Sequence, residues 1–136
     1  MPHLRKFQPT DAEQVFALHE KALRATGAFT NRGPWDQDLA NIEKIYVQPG
    51  GCFYVVEENG AIIGMGALKR HENGEAEIKR MRIAPRKQRS GLGQMIFDAL
   101  LNAAADQDIC RIFLDTTNQQ VAAQKFYEKN GFKEYR

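Results

Sequence analysis

Chemistry concentrates between Glu77 and Leu100, in the stretch EIKRMRIAPRKQRSGLGQMIFDAL. Six basic residues fall within Lys79 to Arg89, and the hexapeptide Gln88-Arg89-Ser90-Gly91-Leu92-Gly93 leads directly into an amphipathic run. A helix N-terminus offers backbone N–H groups without intrahelical partners and the positive end of the helix dipole, and glycines let a bulky anion come close to that backbone. The hexapeptide is therefore expected to cradle a diphosphate. Two better-known nucleotide loops do not fit. The Walker pattern needs GxxxxGK[ST] and the chain has no Gly-Lys; the dinucleotide fingerprint needs GxGxxG, and Ile96 stands three residues after Gly93.

The other reactive residue types form no comparable group. Ser90 is the only serine and does not sit in a GxSxG elbow, which argues against a serine hydrolase. His3, His19 and His71 are isolated, and read as surface or helix-face residues; no metal site is expected. Cys52 and Cys110 lie far apart without a CxxC, so neither a zinc site nor a disulfide framework is indicated, and Cys110 is expected to be a small buried hydrophobe. A reducing cytoplasm is the simplest setting. Trp35, Asp36 and Asp38 could furnish an aromatic wall and carboxylates for a cationic amine, or simply start a helix.

Charge is uneven. Residues 1–78 hold 8 Lys/Arg against 11 Asp/Glu, whereas residues 79–136 hold 11 against 6. The pattern implies a local anion site rather than a generally basic protein. The basic run lacks the interleaved aromatics of a single-strand platform, and duplex binding usually needs a broader basic face, so a nucleic-acid partner is disfavoured. At 136 residues and 43% apolar content the chain suits one domain, residues 1–136, with its own core. No apolar stretch has the length and purity of a membrane span.

The elements that must position the glycine loop follow from periodicity and punctuation. His3 to Gln8 reads as a strand, and Thr10 with Glu13 as the capping box of a helix whose buried face is Val15, Leu18, Ala22 and Leu23. A second helix is expected from Asp36 to Val47. Asn59-Gly60 marks a tight hairpin, and a further strand should run from about Glu75 to Ile83. From Gly91 the apolar positions Leu92, Met95, Ile96, Ala99, Leu100 and Ala103 repeat as one helical face. CRIFLDT is a short strand, Asn118 can cap a last helix, and Asn130-Gly131 should end it. The order predicts a mixed α/β sheet.

Set in that context, Gln88 to Gly93 resembles the Q/R-x-x-G-x-G/A acyl-coenzyme A signature of the GNAT family of N-acetyltransferases. AEIKRMRIAP before it is similar to that family's fourth strand, and LDTTNQQVAAQKFYEKNGF after it to the fifth strand and following helix, ending in Y-x-x-x-G-F at Tyr127 to Phe132. The resemblance covers about Gly64 to Phe132 closely and earlier residues by element order. It implies an α/β fold: a mixed, mostly antiparallel sheet flanked by about four helices.

What the resemblance implies can be placed residue by residue. Acetyl-CoA would be the co-substrate, its pantetheine arm pairing with strand backbone at Met81 and Ile83 in a wedge between the fourth and fifth strands. The amides of Gln88, Arg89, Ser90, Gly91, Leu92 and Gly93 would hold the diphosphate, with Arg86, Lys87 and Arg89 near the 3′-phosphate, and Asn118 would be a further cofactor contact. Tyr127 would lie by the thioester sulfur as the acid for the departing thiolate. Glu77 matches the place where some members carry a general base; a cross-strand salt bridge with Lys79 or Arg80 is the other reading, and a water chain could replace it as base. The implied activity is acyl-CoA-dependent transfer of acetyl to a primary amine of a small molecule or protein. The alternative is a non-catalytic acyl-CoA-binding sensor. Family members usually complete a sixth and seventh strand, so the C-terminal strands are expected to be short or missing here. The exposed edge would then be explained by truncation, by a strand exchanged in a homodimer, or by a minimal domain.

Overall fold

A computed structural model of the chain describes residues 2–26, 34–88, 90–114 and 121–132; within these, the side chains at 23, 25, 26, 34–36 and 121–124 are not described. Five strands form one sheet in the order β1 (His3–Lys6), β2 (Cys52–Glu58), β3 (Ala61–Arg70), β4 (Glu75–Ile83) and β5 (Arg111–Phe113). The first three pairings are antiparallel and β4 with β5 is parallel. Helix α1 (Ala12–Thr26) follows β1, α2 (Leu92–Asp106) links β4 to β5, and α3 (Val121–Lys129) follows β5. The expected mixed, mostly antiparallel sheet with flanking helices is thus the observed one.

The hairpin between β2 and β3 turns where Asn59 and Gly60 have φ of 53° and 82°, the paired positive values of a type I′ turn, whose twist matches that of the strands. Gly131 closes α3, and the Phe132 N–H reaches back to the Tyr127 carbonyl at 3.0 Å. Three local expectations differ. The expected box of Thr10 with Glu13 gives way to a 3-10 turn at Pro9–Asp11 that precedes α1, with its own capping box between Gln8 and Asp11, whose carboxylate accepts the Gln8 N–H at 2.8 Å. Arg5 forks onto the same carboxylate at 2.7 and 2.9 Å, tying β1 to this turn. The region expected as one helix from Asp36 to Val47 is a 3-10 segment, Pro34–Ala40, followed by a π-helical turn, Glu43–Val47. Cys110 is exposed, its Sγ resting 3.5 Å from the Gly74 carbonyl, because it precedes β5 rather than lying in it.

The two faces of the sheet are covered by different elements. Ile96 of α2 lies against Gly64 and Gly66 of β3, so α2 covers the face that also carries Met81 and Ile83. Leu92, Ile96, Phe97 and Leu100 are buried there, whereas Met95 of the expected helical face is exposed. On the opposite face His19 of α1 meets Arg82 of β4. Tyr46 of the π-helical turn stacks edge-on against Phe53 of β2, 5.6 Å between centroids.

Candidate active site

Strand β4 contains a bulge. Met65 pairs with Arg82 but Ala67 pairs with Lys79, so Arg80 and Met81 together stand opposite Gly66. A side chain at Gly66 would not fit: an added Cβ would lie 2.5 Å from Ile96 Cγ2 and 2.7 Å from Met81 Sδ. The bulge resolves what strand parity leaves open. Glu77, Lys79 and Arg82 share the α1 face, and Ile78, Met81 and Ile83 share the α2 face.

Arg80 carries the bulge at φ 59°, a left-handed conformation that costs a non-glycine residue about 1–2 kcal/mol. Its guanidinium forks onto Asp38, 2.9 Å from Nε and 2.6 Å from Nη2, and the Tyr46 hydroxyl donates to the same carboxylate. The pair is enclosed, with side-chain exposures of 12% for Arg80 and 14% for Asp38. Burial by itself would raise the Asp38 carboxyl, but the hydrogen bonds from Arg80 and Tyr46, with the arginine charge, hold it below the usual carboxylate range. Asp38 is therefore committed to Arg80 and Tyr46 rather than open to a cationic amine. The side chains of Trp35 and Asp36 fall outside the described residues.

Glu77 pairs with neither Lys79 nor Arg80. Its Oε1 lies 3.0 Å from His71 Nε2, and His71 stacks at 5.3 Å on Phe113 of β5. Beside them an open cleft of about 620 Å³ is lined by Pro49, His71 and Phe113 among others, which gives the pair access to solvent.

The strands part beyond this point. β4 and β5 pair only from Glu75 with Arg111 to Glu77 with Phe113, so among the described residues the β5 side of β4 from Ile78 onward has no strand partner. Met81 and Ile83 lie along that stretch and are partly buried. The glycine loop lies at its end. Pro85–Lys87 form a 3-10 turn, the Ser90 hydroxyl donates to the Lys87 carbonyl, and Gly91, at φ 86°, precedes the first turn of α2. An added Cβ at Gly91 would meet nothing within 4 Å, so the space over this turn is open toward the helix N-terminus. The basic run divides: Arg80 and Arg82 turn to the α1 side, Lys87 pairs with Glu58 at 2.7 Å, and Arg86 is exposed. Arg89 and Asn118 lie outside the described residues.

Tyr127 of α3 packs its ring among Phe97, Phe126 and Phe132 at centroid distances of 6.2, 5.4 and 5.8 Å. Burial pushes its phenol up to about 12, against a smaller pull downward from the Arg82 charge. Arg82 itself lies 3.4 Å from Nδ1 of the fully buried His19. Neither His19 nor His71 was marked by sequence as a site residue, because each finds its partner only through the sheet. Among the described residues no group of three or more His, Cys, Asp or Glu could hold a metal, and no helix is long and apolar enough to cross a membrane.

A parted strand pair ending in a glycine turn at a helix N-terminus is the arrangement that the resemblance to the GNAT family implies. The model of the acetyltransferase (GNAT) family matches residues 13–132, and the chain belongs to that family. It is 34% identical over 98 residues to the N-acetylaspartate synthetase of Homo sapiens, a match covering 71% of this chain and 32% of that protein. The chain thus spans about a third of the length of that relative. It is 30% identical over 113 residues to the uncharacterised N-acetyltransferase YedL of Escherichia coli, covering 82% and 70%. A GNAT-family acetyltransferase structure from Staphylococcus aureus superposes with a TM-score of 0.95 at 24% identity, over 100% of this chain and 86% of that one. The PaiA N-acetyltransferase of Thermoplasma acidophilum, solved with coenzyme A, gives 0.83 at 19% identity over 98% and 90%.

Proposed function

We propose that the chain is an N-acetyltransferase that moves an acetyl group from acetyl-CoA to a primary amine by direct attack in a ternary complex. The observation that carries this reading is the join between the β4 stretch at Ile78–Ile83, whose β5 side has no strand partner among the described residues, and the open glycine turn at Gly91, which together suit an extended amide-bearing arm ending in a diphosphate. The donor supplies the activated acyl group. The amides of Gln88, Arg89, Ser90, Gly91, Leu92 and Gly93 hold its diphosphate, Met81 and Ile83 offer backbone to the arm, the exposed Arg86 meets the 3′-phosphate, and Asn118 is a further contact.

On the acceptor side, Glu77 takes the proton that the attacking amine must lose, and the His71 pairing holds the carboxylate in place. A backbone N–H at the Arg80–Met81 bulge receives the oxygen on which charge develops. The carbon–nitrogen bond forms, the carbon–sulfur bond breaks, and Tyr127 donates to the sulfur as it leaves. A free thiol titrates near 8.5, well below the buried phenol, so Tyr127 acts first as a hydrogen-bond donor and the proton balance is completed from solvent. Amino acids are the first acceptors to test, because several relatives are N-acetylaspartate synthetases.

Calorimetry and a thiol-release screen of amines and amino acids test the reading together. Acetyl-CoA should bind, and Gly91→Glu, which puts bulk and negative charge into the turn, should weaken binding at least tenfold. Affinity within twofold of the parent would remove the cradle from this loop. Tight binding without thiol release for any amine would favour the non-catalytic sensor.

A further inference from the structure

The irregular backbone at Arg80 has a built support. Left-handed conformations at non-glycine residues persist where the surroundings over-determine them, and here the constraint comes from outside the strand. The Arg80 fork reaches 42 residues back to Asp38 in the 3-10 segment, and Tyr46 of the π-helical turn binds the same carboxylate. Tyr46 is itself fully buried. Asp38, itself held by the buried Tyr46, therefore fixes the guanidinium of the residue whose backbone forms the bulge. Gly66 on the neighbouring strand leaves room for the bulge but places no constraint on φ at Arg80.

We propose that Arg80, Asp38 and Tyr46 form a positioning clamp that holds the β4 bulge with its backbone N–H directed toward the acyl carbonyl of the donor. The clamp rests on the acetyltransferase reading, and it couples the wall of the acceptor side to the donor wedge. None of the three residues touches the reacting atoms; they act through the bulge. Their loss should affect recognition of the acyl carbonyl and leave that of the rest of the donor intact.

A pair of double variants isolates the backbone effect. Asp38→Ala with Arg80→Gly and Asp38→Ala with Arg80→Ala both remove the two charges and the fork; they differ in that glycine adopts positive φ freely and alanine does not. Calorimetry with acetyl-CoA and with CoA separates the acyl group from everything else. We expect the alanine double variant to lose at least fivefold in affinity for acetyl-CoA relative to CoA, with CoA itself changed less than twofold. The glycine double variant should keep the parental ratio within twofold. Tyr46→Phe, which leaves the fork in place, should shift the ratio in the alanine direction by a smaller factor and serves if the double variants do not fold. Identical ratios in parent, alanine and glycine variants, or in parent and Tyr46→Phe where that is the variant measured, would overturn the clamp while leaving the enzyme reading intact. A parent that binds neither ligand would remove the cofactor reading, and the clamp with it.

Discussion

Tyr127 and Glu77 are the residues proposed for the two proton-handling roles, and each has a variant that changes chemistry while preserving shape. Tyr127→Phe keeps the ring among Phe97, Phe126 and Phe132 and removes only the hydroxyl, which has no hydrogen-bond partner among the described residues. Proton donation in such steps typically contributes on the order of 10² to 10⁴ in rate. A hydrogen bond without full transfer should contribute less, so kcat is expected to fall about tenfold or more, with KM for acetyl-CoA changed less than about threefold and Tm nearly constant. Single-turnover transfer equal to the parent across pH 6–9 would assign the role to water. Glu77→Gln can still hydrogen-bond His71 but accepts no proton. Turnover should drop at neutral pH and recover in part at high pH, where free amine is abundant, while cofactor binding persists. A pH profile that does not move would leave Glu77 as the structural partner of His71.

At the scale of elements, the wedge depends on a small residue opposite the bulge. Gly66 lets Ile96 of α2 and Met81 of β4 meet over the sheet, and a methyl there would overlap both. Met81 can swing aside, but the Ile96 branch is fixed by a buried helix, so α2 must shift. Overpacking of this kind costs about 1–3 kcal/mol. Alanine returns about 0.4–1 kcal/mol by restricting the unfolded chain. Gly66→Ala should therefore lower Tm by a few degrees, measured by thermal unfolding with and without acetyl-CoA. An unchanged or raised Tm would mean that α2 settles elsewhere without loss, and that the glycine is not what brings α2 so close.

For the molecule as a whole, two carboxylates, one tying β1 to the turn before α1 and the other tying β4 to the 3-10 segment, set its response to acid. Hydrogen bonds from Arg5 hold Asp11 below its ordinary range against the cost of burial, and Arg80 with Tyr46 do the same for Asp38. Both bind protons more weakly in the folded chain than in the unfolded one. Their stabilisation is therefore complete above the unfolded value of about 3.9, and it is lost as pH falls through the folded values. Tm should decline from about pH 5 downward. The Asp11→Asn, Asp38→Asn double variant should start lower at pH 7 and decline less steeply, and parallel curves would show that other groups govern acid unfolding.

Local signals determined most of the architecture. The Asn59-Gly60 hairpin, the strand over Glu75–Ile83, the helix after Gly91 and its end-stopped counterpart at Gly131 were readable because turn chemistry and periodicity act between near neighbours. The glycine loop was readable for the same reason: six consecutive residues carry its signal. What sequence could not show were contacts made across the fold. Asp38 could be read as available for a cationic acceptor or as part of a helix start, and Glu77 as a general base or as the salt-bridge partner of Lys79 or Arg80. The bulge shifted the facing of β4 beyond Lys79, delivering Arg80 to a carboxylate 42 positions away and Arg82 to a histidine 63 positions away, while Glu77, before the bulge, meets His71 of the neighbouring segment. A bulge has no periodic signature, and a buried charge takes its partner from whichever element packs above it, so only the tertiary structure decides which ions of a basic run remain for a ligand.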